Sequence, residues 1–364
     1  MAQPGGRGYY FDHVVLQPTT FCNLTCSYCY LPQRHALRRM EPLVIEALLD
    51  CFSIRGRQVR CVWHGGEPLT VGLTHFRKLV EPLEDLRRRG LVRHSIQTNG
   101  SLIDDDWCNF FREFSFSIGV SLDGPPEMNG ARRRRSGQSS FEDTIGGINA
   151  LRRANIEWAV IVVVNRENLH QARDLYKFFL ALEPQRLNFN IEEREGIHRD
   201  ADVVDAQDSY QFWRELFREW QLDPRIRVRE FDHALTWMAT TIQGRAKNNP
   251  GRLDVWPTVA YNGDIFLFSP EFMAVNKSEV ERFCVGNVIR DDLQRVVDTA
   301  IGNPFVAEFE HGVSKCARSC AYFDFCRGGH ASNKYYETGS LDATETNYCR
   351  NGKIALIDAI LDEI

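Results

Sequence analysis

A chain of 364 residues, 43% hydrophobic and 26% charged, is long enough for a large globular core and a smaller second unit. Its formal net charge of −5 carries no basic excess that would favour nucleic acid as a partner. No apolar run approaches the roughly 18 residues that span a bilayer, and Met1–Gly8 lacks the apolar stretch of a signal peptide, so we expect a cytoplasmic protein that does not associate with membranes.

The first half of the chain alternates strand-like and helix-like segments. The predicted strands are His13–Gln17, Gln58–Trp63, Arg93–Thr98, Phe116–Ser121, Trp158–Val164 and Leu187–Ile191. The predicted helices are Glu41–Phe52, Leu73–Arg88, Asp105–Glu113, Phe141–Arg153 and Asn168–Ala181. Apolar, β-branched strands that alternate with amphipathic helices predict an α/β fold with a parallel sheet, a partial (β/α)6 TIM-type barrel over residues 1–200. Functional loops should follow the carboxyl ends of these strands.

From about Ala201 the pattern changes. Helical stretches at Asp205–Trp220 and Arg229–Gln243, with the loop Lys247–Leu253, predict a helical connector over residues 201–254. The pair Asn262-Gly263 between two β-like runs, Val255–Tyr261 and Asp264–Phe268, indicates a hairpin. A helix at Leu293–Phe309, a cysteine-rich segment rich in loops and a final helix at Lys353–Leu361 complete a predicted C-terminal domain, residues 255–364.

The 11 cysteines are clustered, which is typical of metal or Fe–S ligation and unlike the scattered pattern of buried thiols. Three lie within residues 22–29 and five between residues 284 and 349. The isolated residues Cys51, Cys61 and Cys108 are expected to be small buried hydrophobic side chains.

The spacing Cys22-x3-Cys26-x2-Cys29 directly follows the first predicted strand. Three thiolates bind three irons of a four-iron cubane and leave the fourth iron open. The alternative is a zinc site, which normally needs a fourth ligand, and only His35 is near. Tyr28 offers either an aromatic wall to adenine or ordinary packing.

This cysteine motif resembles that of the radical S-adenosylmethionine (SAM) superfamily, whose members bind a [4Fe–4S] cluster and SAM. Gly65-Gly66-Glu67-Pro68 follows the second strand, where the family has a loop that lines the SAM methionine. Glycines let the backbone approach a ligand and proline fixes the turn. Taken alone, the same four residues would indicate only a turn.

Two further strand ends and one arginine extend the resemblance. Asn99, in Gln97–Gly100, and Ser121, in Ser121–Pro125, match family loops that reach SAM, with Ser121 our candidate for the ribose. Both segments would also make ordinary strand-terminating turns. Arg132 lies nine residues before Phe141, the position of a family arginine that pairs with the SAM carboxylate. Residues 133–135, also arginines, indicate a solvated face or a patch for an acidic peptide.

The C-terminal cysteines Cys316, Cys320, Cys326 and Cys349 resemble the SPASM extension of peptide-modifying radical SAM enzymes. Where that family has a further cysteine this chain has His330, and upstream only Cys284 is present. The resemblance therefore implies one auxiliary [4Fe–4S] cluster, with a structural zinc held by the same four cysteines as the alternative.

Segments around Trp63–Leu69, Phe268–Glu271, Asn333–Glu337 and Glu345–Arg350 are similar to those of Grr-type maturases. These belong to a group that joins an aromatic ring to a Cβ atom, a cyclophane, in a ribosomally made precursor peptide. The resemblance implies that peptide as substrate and a reductase such as flavodoxin or ferredoxin as electron donor. The first strand begins near residue 11, so we expect no leader-binding domain before the barrel.

Crosslinking in this group implies abstraction of a Cβ hydrogen, addition to the ring, and loss of a proton and an electron. The auxiliary cluster would take the electron, and a base in the cavity the proton. Our base candidates are Glu192, Glu193 and Glu271, each of which also suits a structural ion pair. Alternative functions are a thioether-forming maturase, a formylglycine-forming sulfatase maturase, or a non-catalytic Fe–S or zinc scaffold.

Overall fold

The computed structural model describes residues 10–199, 204–243, 255–273 and 277–364. Its strands are β1 His13–Leu16, β2 Val59–Trp63, β3 Val92–Thr98, β4 Ser117–Ser121, β5 Trp158–Val164, β6 Arg186–Ile191, β7 Arg227–Val228, β8 Thr258–Val259, β9 Asp264–Phe266 and β10 Cys284–Asn287. The six strands predicted for the first half are confirmed, each within one residue at either end. The predicted loop Lys247–Leu253 lies outside the described residues.

The helices alternate with the strands in the first half and dominate the second. They are α1 Pro42–Glu46, α2 Leu49–Ile54, α3 Leu73–Val80, α4 Glu84–Arg88, α5 Asp105–Glu113, α6 Phe141–Arg153, α7 Ala172–Leu182, α8 Ala206–Leu222, α9 Arg229–Ile242, α10 Lys277–Phe283, α11 Leu293–Thr299, α12 Pro304–Ser319, α13 Phe323–Cys326, α14 Ala331–Thr338, α15 Asn347–Cys349 and α16 Ala355–Leu361. No helix in the described ranges has the length and apolar character needed to cross a bilayer.

One sheet runs through the described part of the chain in the order β10-β9-β8-β1-β2-β3-β4-β5-β6-β7. Strands β1 to β7 are parallel, as the partial TIM-type barrel requires, and the fold class predicted from the sequence is confirmed. Strand β8 pairs parallel to β1, and β8 and β9 form the predicted antiparallel hairpin. The sheet therefore crosses the domain boundary predicted at residue 255.

The barrel strands carry apolar side chains on both faces, because helices cover one face and the barrel interior the other. In β5, Val160, Val162 and Val164 are fully buried under the helices. The alternate residues Ile161 and Val163 are half-buried and face the interior, where they line a cavity. The period of two thus separates core positions from cavity positions along one strand.

Proline breaks two helices that the sequence presents as continuous. Leu73–Arg88 is interrupted at a 3-10 turn that contains Pro82. Leu293–Phe309 is interrupted after Thr299 by a 3-10 turn at Ala300–Gly302, and the next helix begins at Pro304. Proline lacks the N–H of an interior helical hydrogen bond and suits the first turn of a new helix. The cysteine-rich segment also holds more helix than expected, because α12 extends to Ser319 and α14 follows it.

Helix α6 rests on the turn that ends β3, and adjacent glycines test this contact. A Cβ on the buried Gly147 would overlap the Gly100 carbonyl oxygen, whereas one on the exposed Gly146 meets nothing within 4 Å. We expect Gly147→Ala to reduce the free energy of unfolding by about 1–3 kcal/mol, the usual cost of overpacking. Gly146→Ala should raise it by about 0.5–1 kcal/mol through helix propensity. Urea denaturation measures both, and equal stabilities would contradict this packing.

Candidate active site

A cavity of about 310 Å³ opens at the carboxyl ends of the parallel strands. Cysteines and polar strand-end residues line one side of it, and glutamates line the other. Its lining includes Cys22, Cys26, Tyr28, Cys29, Tyr30, His64, Gly66, Glu67, Gln97, Asn99, Ser121, Arg132, Glu192, Glu193, Glu195 and Glu271. With the exception of Gly65, it thus brings together all the residues that the sequence proposed for the first cluster, SAM and the base.

The cysteine loop after β1 is held by backbone pairing to two distant segments. The Cys22 N–H donates to the Arg34 carbonyl at 2.9 Å, and the Thr25 N–H donates to the Arg133 carbonyl at 2.8 Å. The arginine run is therefore a backbone support for this loop, and Arg135 stacks over the Phe21 ring. Burial raises the pKa of Cys22 to about 12, with Glu67 and the other two thiols adding to the effect. Ionised thiolates here need a bound cationic centre to balance them.

Gly66 lets the loop after β2 lie directly on the cysteine loop. Its φ is +63°, and a Cβ would stand 2.5 Å from the Phe21 carbonyl oxygen. The next residue, Glu67, donates its N–H to the same carbonyl at 2.8 Å. Gly65 also has positive φ, +98°. The Gly-Gly pair thus allows a contact between two strand-end loops that other residues would block.

The Glu67 carboxylate joins the loops after β2 and β3. It is almost fully buried and accepts from Thr98 Oγ1 at 2.7 Å, from the Asn99 N–H at 2.7 Å and from the Leu69 N–H at 3.1 Å. Asn99 in turn donates its side-chain amide to Asn23 Oδ1, beside Cys22, at 2.8 Å. Glu67 therefore shapes the cofactor side of the cavity through these loops, and a direct contact with SAM stays a prediction.

Arg132 is buried and bound to Tyr28, whereas its Nε has no partner among the described residues. Arg132 Nη1 donates to the Tyr28 hydroxyl at 2.7 Å, and that hydroxyl donates to Asp123 Oδ2 at 2.7 Å. The chain of contacts fixes the Tyr28 side chain at the cavity wall. A buried guanidinium that lines the cavity and keeps one N–H unpaired among the described residues suits the capture of a carboxylate. Ser121 accepts from Gln97 Nε2 at 2.8 Å nearby.

The geometry of the thiols bears on the choice between zinc and a cluster. In the described ranges, no group of three or more His, Cys, Asp or Glu side chains is placed to hold a metal ion. Zinc gathers its ligands around one centre at about 2.0–2.3 Å, whereas a cubane distributes its cysteines over separate irons. The three thiols of Cys22, Cys26 and Cys29 are half-buried and line the same cavity.

The opposite side of the cavity is acidic. Glu192 contacts His198 Nε2 at 2.8 Å, and Asn333 Nδ2 donates to Glu193 at 2.6 Å and to Glu195 at 3.1 Å. Burial raises the pKa of Glu271 to about 8, and burial is likewise the largest cause raising that of Glu193 to about 7. Burial and the charges of Glu271 and Glu193 hold the pKa of Glu195 well above its usual range. Two of the three predicted base candidates thus have pKa values suited to proton transfer near neutral pH.

Sequence reasoning missed Glu195 and its partner Asn333. Glu193 and Glu195 are two apart in extended chain after β6, which places both side chains on one face, so the alternation was a usable signal. Asn333 carries no such signal, because it is 140 positions away from Glu193 in the sequence and no local pattern indicates their contact. Tyr30 was also missed; its hydroxyl contacts His64 Nε2 at 3.0 Å at the cavity wall.

The four cysteines proposed for an auxiliary cluster come from α12, its C-terminal end, α13 and α15. Burial raises the pKa of Cys349, to about 12, and the thiols of Cys326 and Cys320 raise it further. The buried Lys334 places Nζ 3.8 Å from Cys316 Sγ. The two residues at which the sequence departs from the SPASM pattern make other contacts. His330 stacks on Tyr348, and Cys284 donates its thiol to the Gly286 carbonyl in β10.

Comparisons with known proteins agree with this fold. Residues 16–179 match the family model of the radical SAM superfamily. The chain is 33% identical to an uncharacterised protein of Synechocystis, over 93% of this chain and 88% of that protein. It is 26% identical to a serine-type anaerobic sulfatase-maturating enzyme of Bacteroides thetaiotaomicron, over 90% and 84% of the two chains. The solved structure of native anSMEcpe with bound AdoMet and a Cp18Cys peptide covers 97% of this chain and 98% of its own, with TM-score 0.78 and 21% identity.

Fold and site together define an enzyme that binds a [4Fe–4S] cluster and SAM at the end of a partial barrel. The chain belongs to the radical SAM superfamily. When bound, the reduced cluster supplies the electron that cleaves SAM reductively and yields a 5′-deoxyadenosyl radical.

Iron analysis tests the assignment of the cysteines. Anaerobically reconstituted protein should hold about eight irons, two cubanes. Cys26→Ala should lose about half of them and all SAM cleavage, whereas Cys320→Ala should lose the other half and keep some cleavage. Cys284→Ser is the matched control and should keep the full iron content. A value near twelve would show that Cys284 and His330 support a third cluster, and the assignment would then fail.

Proposed function

We propose that this enzyme removes a Cβ hydrogen from a residue of a ribosomally made peptide and closes that carbon onto a neighbouring aromatic ring, forming a cyclophane. The observation that carries the proposal is the single cavity in which Cys22, Cys26 and Cys29 face Glu193, Glu195 and Glu271. A radical source and proton acceptors that line one cavity suit a reaction that removes a hydrogen atom and then a proton.

In this proposal the cofactor side of the cavity binds SAM. Cys22, Cys26 and Cys29 hold the cluster, and Arg132 pairs with the SAM carboxylate. Tyr28, Gly65, Gly66, Glu67, Asn99 and Ser121 shape or contact the rest of the SAM molecule. The buried, unpaired Nε of Arg132 and the strand-end placement of the polar residues support these roles.

Glu271 is the proposed base. It follows Ser269-Pro270 at the start of a 3-10 turn, and the Tyr336 hydroxyl donates to its backbone carbonyl at 2.9 Å. Its raised pKa lets it accept a proton near neutral pH while it faces the cavity. Glu192 is the weaker candidate because His198 already occupies its carboxylate. The electron leaves, in this proposal, through an auxiliary cluster held by Cys316, Cys320, Cys326 and Cys349.

The cyclophane product is supported by the location of the segments that resemble Grr-type maturases, which meet around the active-site cavity. His64, Glu271, Asn333 and Tyr336 come from three segments that are remote in sequence, yet His64 and Glu271 line the cavity. Asn333 bonds the cavity carboxylates and Tyr336 bonds the Glu271 backbone. The residues behind the resemblance therefore surround the space where a peptide would react.

A second candidate product is formylglycine, made by oxidation of a serine or cysteine in a sulfatase. Several relatives are sulfatase-maturating enzymes, and one solved neighbour with that fold holds a peptide. These names favour formylglycine more directly than they favour a crosslink. The presence of one auxiliary cysteine set favours the crosslink, since the full SPASM pattern supplies ligands for two clusters.

Mass spectrometry of a co-expressed precursor peptide decides between the products. The peptide to use is a short open reading frame beside the gene that encodes aromatic-containing repeats. We expect a loss of two hydrogens per modification and an NMR correlation between an aromatic carbon and a Cβ. An aldehyde that reacts with hydrazide reagents would instead establish formylglycine, and a sulfur-to-carbon bond would establish a thioether.

The role of Glu271 predicts a pH dependence. A base acts only when ionised, so product formation should rise with pH and level off above its pKa, about 8. In Glu271→Gln the rise should disappear and product should fall by about 10²–10⁴-fold, while reductive SAM cleavage persists. The exposed Glu142→Gln is the matched control. A Glu271→Gln enzyme with an unchanged profile would exclude this base.

A further inference from the structure

A second, smaller cavity lies behind the acidic wall of the active site. Its volume is about 40 Å³, and segment 190–193 forms part of the lining of both cavities. The other walls of the small cavity combine the rings of Phe189, Trp213 and Tyr348 with the charged groups of Arg229, Glu230 and Lys353. A space of about 40 Å³ with charged groups in its lining holds about three water molecules, since one needs roughly 10–15 Å³ of such volume.

Glu193 and Glu195 are hydrogen-bonded neighbours at the wall between the two cavities, and they differ in proton affinity. Glu195 accepts from Ser332 at 2.9 Å and feels the negative charge of Glu271, which favours its protonated form. Glu193 is bonded to Glu195 and feels the positive charge of Lys353, which favours its ionised form. Glu337 opposes that pull with a like charge. A proton that enters the pair is therefore held on the Glu195 side and released on the Glu193 side.

The side chain of Asn333 independently indicates that a hydrogen-bond donor is missing beside the Glu193–Glu195 pair. Its Nδ2 donates to both carboxylates, whereas its Oδ1 is buried and has no hydrogen-bond partner among the described residues. Buried side-chain acceptors are satisfied in nearly all folded proteins, by protein groups or by water. A mobile proton on the pair, or a water beside it, satisfies this atom.

We propose that Glu195 and Glu193 carry the proton released by the substrate out of the active site and into the small polar cavity. The proton passes from Glu271 to a Glu195 oxygen while the proton of Glu195 moves to Glu193. The Glu193 O–H bond then breaks, the proton joins cavity water, and the carboxylate is restored. One proton moves and no electron does. Arg229 lines the small cavity and its side chain is 43% exposed, which makes it the proposed exit to solvent.

The inference rests on the proposed function only for the source of the proton. Asn333 and the Lys353 charge, which the proposed reaction does not use, thereby acquire a role, and Glu195 becomes the acceptor that follows Glu271. Through this route the proton can leave the active site while the bound peptide fills the opening of the main cavity.

Gly352 offers a way to block this route without touching either carboxylate. A Cβ at Gly352 would meet the Tyr348 ring at 3.8 Å, an ordinary contact, so alanine fits while narrowing the cavity. In Gly352→Ala we expect the yield of modified peptide per 5′-deoxyadenosine to fall by about ten-fold, since the route is narrowed and proton transfer contributes 10²–10⁴-fold. Iron content and SAM cleavage should match wild type, and Gly146→Ala is the matched control. Equal yields in Gly352→Ala and wild type would overturn the inference.

A crystal structure of the holoenzyme without peptide tests the same route independently of the substrate. It should show ordered water between Glu193 and Lys353, and a dry cavity would overturn the inference whatever the enzyme modifies. If the wild-type enzyme makes no modified peptide, the proposed function fails, and this structural test still decides the fate of the proton route.

Discussion

The buried carboxylate of Glu67 is the interaction on which the cofactor side of the site depends. A carboxylate removed from water is costly unless hydrogen bonds replace its hydration. Glu67 meets that requirement with donors on two neighbouring strand-end loops, and its own backbone N–H binds the cysteine loop. Three loops that would otherwise move separately are thereby held in one arrangement, and the cysteines, Asn99 and the cavity wall follow from it.

Charge is divided across the cavity. Arg132 on one side is buried against Tyr28 and Asp123, so a cation is held where a negatively charged cofactor group would sit. On the other side burial raises the pKa of Glu193, Glu195 and Glu271, and the charge of Glu193 raises the pKa of the other two further, so that protonated carboxyls occur near neutral pH. In the proposed function, this division places the anionic cofactor group and the proton-exchanging carboxyls on different sides of one cavity.

Much of the architecture could be predicted from sequence because its signals are local. The β-branched strands, the cysteine spacing, Gly65-Gly66 and the Asn262-Gly263 turn each specify structure within a few residues. What escaped prediction depends on tertiary contacts. Asn333 reaches Glu193 only because α14 folds back against the end of β6. Pro82 and Pro304 alone would have predicted the helix breaks at these positions. The apolar periodicity continues across both prolines, however, and it led to the prediction of two uninterrupted helices.

The pairing of β8 with β1 has a consequence for how the chain can be divided. Val15 and Gln17 donate their N–H groups to Pro257 and Val259, so the C-terminal segment completes the edge of the barrel sheet. A fragment ending before residue 255 would present those amides as an open edge, a template for intermolecular strand pairing. The barrel sheet therefore depends on the C-terminal segment for its edge strand. A barrel truncated before that segment is expected to aggregate and not to fold as an autonomous catalytic core.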